Sequence, residues 1–248
     1  MKSLVCISHV PDTTTKIQYT ADGKALDKNG VVFIINPYDE LGLVRAIEFK
    51  EKSGQGNVTV LCVGNAEVEP TLRKALAIGA DDAVRIDSGN AAIDGLYVAH
   101  QIVAYAQGKG YDFIFFGKES IESNGSEVPG MVAELLDLPF ISQAIHLEAA
   151  GGKAQLQREL DGGYESIESS IPAVVSCQKG IAEWRIPNMR GIMMAKTKQL
   201  SVVVPAVATE VAVVTEKLEL PTAKGGCTYI DAEDPGKLVE ILVDKGLI

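Results

Sequence analysis

Short β-branched runs alternate along the chain with stretches whose apolar positions recur every three or four residues. That alternation predicts strands separated by helices. Ser3 to Ser8 reads as a strand, and Val31 to Ile35 is a second apolar run of strand character. Pro37 restarts the chain in a helix first turn. Leu43, Ala46, Ile47 and Lys50 then share one face, with the aliphatic stem of the lysine at its end. Val58 to Val63 is a strand, and Leu72, Ala75, Leu76 and Gly79 keep the spacing of a helix packed closely on a sheet. Gly79 is expected to end that helix in a left-handed cap. Ala83 to Ile86 follows as a strand, Gly95 to Tyr105 as a helix and Phe113 to Phe116 as a strand. Val128, Met131, Val132, Leu135 and Leu136 make the clearest amphipathic helix of the chain.

Strands joined through helices imply crossover connections and a parallel sheet covered on both faces. After Pro139 the pattern changes. Ile145 to Leu147, Ala154 to Leu160 and Tyr164 to Glu168 are joined by Gly151-Gly152 and Asp161-Gly162-Gly163, which are hairpin signals. An antiparallel meander over about 143–170 is therefore expected, before the chain returns to the core at Ala173 to Cys177. From Ser201 the apolar pieces shorten. Pro205 and Pro221 interrupt them, and Asp234 or Pro235 starts a last helix through Leu238, Ile241 and Leu242 to Gly246. The 201–248 segment carries too little apolar surface to fold alone, so it either packs back on the domain or lies across a partner.

Length adds that 248 residues suit one large α/β domain with an arm. Hydrophobic residues at 46% against aromatics at 6% suit a core of Val, Ile, Leu and Ala. A net charge of −10 argues against nucleic acid and anionic lipid as partners. Cys6, Cys62, Cys177 and Cys227 form no C-x-x-C pair and read as reduced thiols. No long apolar run precedes Pro11, and none reaches the ~20 residues of a spanning helix. A cytoplasmic location without membrane insertion is the expectation.

In an open parallel sheet, ligands bind beyond the carboxyl ends of the strands. Three loops qualify: Ser8-His9-Val10-Pro11-Asp12, Asn36-Pro37-Tyr38-Asp39, and the stretch from Gly117 to Glu127. The third runs into a helix N-terminus, where unpaired N–H groups favour an anion, and Gly125 permits close approach. It reads either as a phosphate site or as an ordinary capped turn, and Glu119, Glu122 and Glu127 oppose a phosphate unless they point away. Neither a G-x-G-x-x-G nor a Walker pattern is present. His9, His100 and His146 lie far apart without ligand spacing, so no metal site is expected. No nucleophile or acid/base pair stands out; Asp161 and Glu165 read as solvated turn charges. The run from Lys179 to Lys198 holds five basic residues against one acidic residue, a local +4. It interleaves them with Met189, Ile192, Met193 and Met194. It reads as a partner surface more than as core filler with a solvated rim.

Arg158-Glu159-Leu160-Asp161-Gly162-Gly163-Tyr164-Glu165, then Ile171-Pro172-Ala173-Val174-Val175, then Ile192-Met193-Met194-Ala195-Lys196 form an ordered set. It resembles the R-E-x-D-G-G-x-E, L-P-A-V-V and I-M-x-A-K motifs of electron-transfer flavoprotein β subunits. Asn36-Pro37-Tyr38-Asp39, Leu72 to Asp81 and Gly117-Lys118-Glu119-Ser120-Ile121 are similar to further motifs of that family, and the resemblance is colinear over roughly the first 200 residues. It implies a Rossmann-like α/β fold: a parallel sheet flanked by helices in a nucleotide-binding domain over 1–200, with the appended meander and an extended C-terminal arm at 201–248.

The resemblance further implies a heterodimer in which an α subunit carries redox-active FAD. This chain would hold AMP structurally, pass electrons between dehydrogenases and an acceptor, and break no bonds itself. Carried over by position, the nucleotide touches Cys6, Asn36, Pro37, Tyr38, Asp39 and Val63. It also touches Glu119, Ser120, Ile121, Glu122, Ser123, Asn124, Gly125, Ser126, Glu127, Val128 and Met131. A recognition loop over 184–198 would dock dehydrogenases through Met189, Ile192, Met193 and Lys196. Glu165 would lie near the α–β contact, and the arm would embrace α. Glu127 stands where many members have glutamine, Arg190-Gly191 where Pro-Asn is common and Met194 where lysine is common, which leaves ligand and partner choice open. Three rivals remain. One is a bifurcating relative holding a second redox-active FAD here and using NADH. Another is a stand-alone universal-stress-type ATP-binding protein, for which Gly125-Ser126 supplies only the end of the expected phosphate loop. The third is a nucleotide-using enzyme of the S-G-G-x-D-S pyrophosphatase kind, whose motif is absent after the first strand.

Overall fold

A computed structural model describes residues 1–89, 92–208 and 210–248. In chain order the elements are β1 (Lys2–Cys6), β2 (His9–Pro11), β3 (Phe33–Ile35), α1 (Pro37–Ser53), β4 (Asn57–Gly64) and a 3-10 turn (Ala66–Val68). There follow α2 (Glu69–Ile78), β5 (Asp82–Asp87), α3 (Gly95–Ala106), β6 (Phe113–Gly117), α4 (Glu127–Leu136), β7 (Phe140–Ala150), β8 (Lys153–Leu160) and β9 (Gly163–Ser170). The last four are β10 (Ala173–Cys177), α5 (Met189–Ala195), β11 (Leu200–Val203) and α6 (Gly236–Asp244).

Among the described residues nine strands form one sheet in the order β11-β5-β4-β1-β6-β10-β7-β8-β9. Its neighbours from β11 to β7 are parallel, and β8 and β9 add antiparallel. The period-2 alternation of the central strands sorts the core into two layers. Val5, Phe113 and Phe115 pack with α1 and α2 on one face. Leu4, Cys6, Ile114 and Phe116 pack with α3 and α4 on the other. The mixed α/β architecture with a large parallel sheet between helices agrees with the sequence reading.

Particular elements differ from expectation. The first strand stops at Cys6; His9–Pro11 turns away and pairs antiparallel with Phe33–Ile35, so the second apolar run lies outside the parallel sheet. Gly79 does end α2, but at φ 150°, ψ −1° instead of in a left-handed cap. A Cβ there would also crowd Ile47, standing 3.0 Å from its Cδ1. The meander begins earlier than 143, at Phe140, and its first strand is also the last parallel member of the sheet. Its turns follow the glycines. Ala150 pairs with Lys153 across Gly151-Gly152, both at positive φ, and Leu160 pairs with Gly163 across Asp161-Gly162. Ser201, where the sequence reading starts the arm, sits inside β11 and pairs with Val84.

The described residues divide into two compact units, Met1–Ile17 with Asp27–Thr215, and Gln18–Leu26 with Glu216–Ile248. The first contains both sheets and α1 to α5. In the second, Tyr19 bridges Leu26, and Leu218 donates its N–H to Gly23 at 2.8 Å. Helix α6 there buries none of its residues, and Leu238, Val239 and Val243 are exposed. No helix among the described residues is long and apolar enough to cross a membrane.

Candidate functional site

The strand order places β4 and β5 on one side of β1, and β6 and β10 on the other. The direction of winding therefore reverses between β1 and β6, and the loops leaving those two strands diverge. Such a switch point opens a crevice at the carboxyl ends of the strands. The cleft lies there, with a volume of about 980 Å³, lined by Cys6 to His9 after β1, Cys62 to Asn65 at the end of β4, and Phe116 and Gly117 at the end of β6.

Its floor is held by the start of α1. Asp39 is buried, and its two carboxylate oxygens accept from the N–H of Ser8 at 2.7 Å and of Gly117 at 2.6 Å. Asn36 donates through its amide to the Glu119 carbonyl at 2.8 Å and accepts from the Ile121 N–H at 3.3 Å. The two side chains clamp the diverging loops to one helix end. Gly117 makes this approach feasible, because a Cβ there would stand 2.6 Å from both Asp39 Oδ1 and Tyr38 Cβ. Burial pushes the Asp39 carboxyl up to about 7, against the opposing pull of the two backbone donors.

The third loop closes on itself. Ser120 and Gly125 form an antiparallel bridge, and Asn124 adopts φ 53° inside the turn. It delivers the chain to the α4 N-terminus, where Ser126 forms no side-chain cap. That leaves the first-turn N–H groups of α4 without a side-chain cap, and Glu127 and Val128 of that turn line the cleft.

Of the residues assigned to the nucleotide, Cys6, Asp39, Val63, Glu119, Ser120, Glu122, Ser123, Gly125, Glu127, Val128 and Met131 line this cleft. Asn36, Pro37, Tyr38, Ile121, Asn124 and Ser126 belong to its supporting loops and do not line it. Tyr38 instead lies under the Lys118 ammonium, 4.9 Å from its ring centre. His9, in the first of the three loops expected at the ligand end, lines the cleft, stacked on Phe33 with 4.4 Å between ring centres and bonded through Nδ1 to Thr71 Oγ1 at 2.7 Å. Burial lowers the pKa of that imidazole. The far wall is Asp94, Gly95 and Leu96 with Ala212, Val213 and Thr215. Asp94 Oδ1 caps α3 at the Tyr97 N–H, and Oδ2 accepts from Ala212 and Val213. A Ser/Thr/Asp/Asn before an apolar-periodic run is a readable cap signal, but the second bond joins residues 118 apart and leaves no local trace.

Away from the cleft, the 184–198 segment contains a helix. In α5 the Asn188 side chain accepts from the Gly191 N–H at 2.8 Å, an N-cap bond. Gly191 and the buried Ala195 turn to α2, where a Cβ on Gly191 would collide with the Ala77 carbonyl oxygen. Arg73 ties the end of the helix down by donating to the carbonyls of Ala195 and Lys198 at 2.7 and 2.8 Å. Met189, Ile192, Met193 and Lys196 share the opposite face at helical spacing and are exposed. Two of the five cations between Lys179 and Lys198 are engaged within the protein. Arg185 is bound bidentately by Glu51 at 2.8 and 3.0 Å, and Lys198 donates to the carbonyl oxygens of Leu76 and Ala80 at the end of α2. Glu165 is not a free turn charge: it pairs across the hairpin with Arg158, which also reaches Ser142.

Among the described residues no group of three or more His, Cys, Asp or Glu side chains is placed to hold a metal. The cysteines are unpaired; Cys6, Cys62 and Cys177 are buried and Cys227 is exposed. Burial pushes the Cys62 thiol up to about 12 and raises those of Cys6 and Cys177. One fast-reacting thiol per native chain is therefore expected with a charged disulfide reagent, and four after denaturation. Two or more fast thiols in the native chain would show that the cleft floor opens.

The model of the electron transfer flavoprotein domain matches residues 24–208. The chain is 37% identical to the electron transfer flavoprotein subunit beta of Syntrophomonas wolfei, over 94% of this chain and 91% of that protein. It is 37% identical to the subunit of the same description from Bacillus subtilis, covering 81% of this chain and 77% of that one. The subunit from Mus musculus is 31% identical, over 82% of this chain and 81% of its own.

Proposed function

This chain belongs to the electron transfer flavoprotein family as a β subunit, and on that footing we propose that it holds an adenine nucleotide in the cleft between β1 and β6 while an α subunit carries the redox-active FAD. Membership makes the chain a non-catalytic electron carrier that works as one subunit of an assembly. The finer reading assigns AMP to the cleft as a structural ligand. The observation that carries it is the coincidence of the cleft with the switch point of the sheet and with an uncapped helix start.

The residues suit that ligand in part. Val63, Val128 and Met131 offer apolar surface for a base, and the α4 N-terminus offers backbone donors to an anion. Glu119, Glu122 and Glu127 bring negative charge to the same mouth. FAD on the partner would accept and release the electrons. This chain's part is to hold the assembly, exclude water from the cleft and present α5 to dehydrogenases through Met189, Ile192, Met193 and Lys196. The apolar residues exposed on α6 support a role for the 201–248 segment in gripping α, and Glu165, fixed by Arg158, is assigned to the rim of that contact.

A second reading, a bifurcating flavoprotein with FAD in the cleft, is favoured by size. A volume of about 980 Å³ lies at the upper end of the roughly 300–1,000 Å³ of small-molecule sites. The stand-alone ATP-binding alternative has no support beside a family match that runs through both the cleft and α5. The test is a count of nucleotides held by the heterodimer, FAD and AMP separately.

A further inference from the structure

The starts of α3 and α4 converge at the mouth of the cleft, and a side chain of the protein stands between them. A Cβ on Gly95, the first residue of α3, would meet Glu127 Oε1 at 2.5 Å. A Cβ on Gly125 would meet Glu127 Oε2 at 3.1 Å. The Glu127 carboxylate is thus lodged against the backbone of both loops, made possible by two glycines. It occupies the place that the uncapped start of α4 would otherwise offer to an anion, the start of α3 being capped already by Asp94. Lys118, the nearest cation in the sequence, is engaged by Glu119 at 3.4 Å.

We propose that Glu127 is a specificity-determining residue of the cleft: its carboxylate fills the anion seat from within, so that it discriminates among adenine ligands by the charge at their phosphate end. The inference rests on the adenine-nucleotide reading of the cleft. A ligand phosphate entering this seat must displace a like charge or share the α4 helix start with it, and both weaken binding. An uncharged ligand that fills only the apolar part meets no such opposition. Glu127 acts on selectivity and not on shape, because glutamine has the same volume and conformational reach.

The experiment uses the heterodimer stripped of the cleft ligand, with Glu127 or with Glu127→Gln, titrated calorimetrically with AMP and with adenosine. Two unit charges a few ångströms apart near a protein surface repel strongly enough that AMP affinity is expected to rise about tenfold or more in the variant. Adenosine affinity should stay within about twofold, since no charge on that ligand is relieved. Glu127 is exposed, so the variant does not endanger the fold. AMP and adenosine shifting together, or neither shifting, would overturn the role given to Glu127 while leaving the cleft an adenine site. Failure of both ligands to bind either protein would overturn the adenine-nucleotide reading and this inference with it.

Discussion

Asp39→Ala is expected to lower stability by roughly 3–5 kcal/mol, through two backbone donors left buried without an acceptor and the space vacated around them. For a chain of this size that is a fall of about 10 °C or more in Tm. The donors are the N–H groups of Ser8 and Gly117, at the ends of the two strands that frame the cleft, so the loss also unfastens the floor of the site. The effect has a pH signature. The free carboxyl titrates at 3.8 and the folded one at about 7. Between those values the folded chain holds a proton that the unfolded chain has released, so this group makes stability fall as pH rises across that window. Asp39→Ala lacks that slope. Its deficit against the parent should therefore be larger at pH 5 than at pH 8. Denaturant unfolding at the two pH values measures it, and an equal deficit at both would show that Asp39 is ionised throughout.

Replacing Met189, Ile192 and Met193 together with alanine is expected to cut the rate of electron exchange with a partner dehydrogenase by about 30-fold. That is the effect of losing about 2 kcal/mol at an interface anchor. The three side chains lie on the face of α5 turned away from α2, and Met189 and Met193 are 74% and 67% exposed. Their removal therefore creates no cavity and should leave Tm within about 1–2 °C, as for ordinary surface substitutions. Flavin content should also be unchanged, since no residue of the helix lines the cleft. Gly191→Ala supplies a complementary test. Its methyl group would strike the Ala77 carbonyl and shift the helix while leaving the chemistry of all four docking side chains unchanged, so it too should slow electron exchange. A rate unaffected by the triple substitution, measured by stopped-flow reduction of the flavin, would mean that electrons pass by another surface.

Much of the architecture was written in local pattern. The parallel core shows because strands and helices differ in period, and the two hairpins show because glycine at positive φ marks each turn, Gly151-Gly152 in the first and Gly162 in the second. The start of α1 was readable from Asn36-Pro37, since proline in the first turn loses no hydrogen bond. What escaped depends on partners distant in sequence. Asp39 meets backbone 31 and 78 residues away, so its role as a buried clamp cannot be told from that of a ligand contact. Arg185 meets Glu51 at a separation of 134, which removes a cation from the surface that a count of the local segment assigned to it. Helix α5 was read as loop because it is only 7 residues long and isolated helices of that length are unstable. Its stability comes from Arg73, Asn188 and the face of α2. The second wall of the cleft, Asp94 with Ala212 and Val213, is likewise a long-range contact and gave no motif.

The nucleotide content of the assembly bears most directly on the central claim. The heterodimer with its α subunit would be purified, equilibrated with AMP at a concentration well above its dissociation constant, freed of unbound nucleotide by rapid filtration and denatured. FAD and AMP would then be quantified separately per heterodimer. One FAD and one AMP is the result predicted for a carrier whose β cleft holds a structural nucleotide. One FAD with no AMP retained would contradict it. Two FAD with no AMP would contradict it in favour of a second flavin in the cleft between β1 and β6.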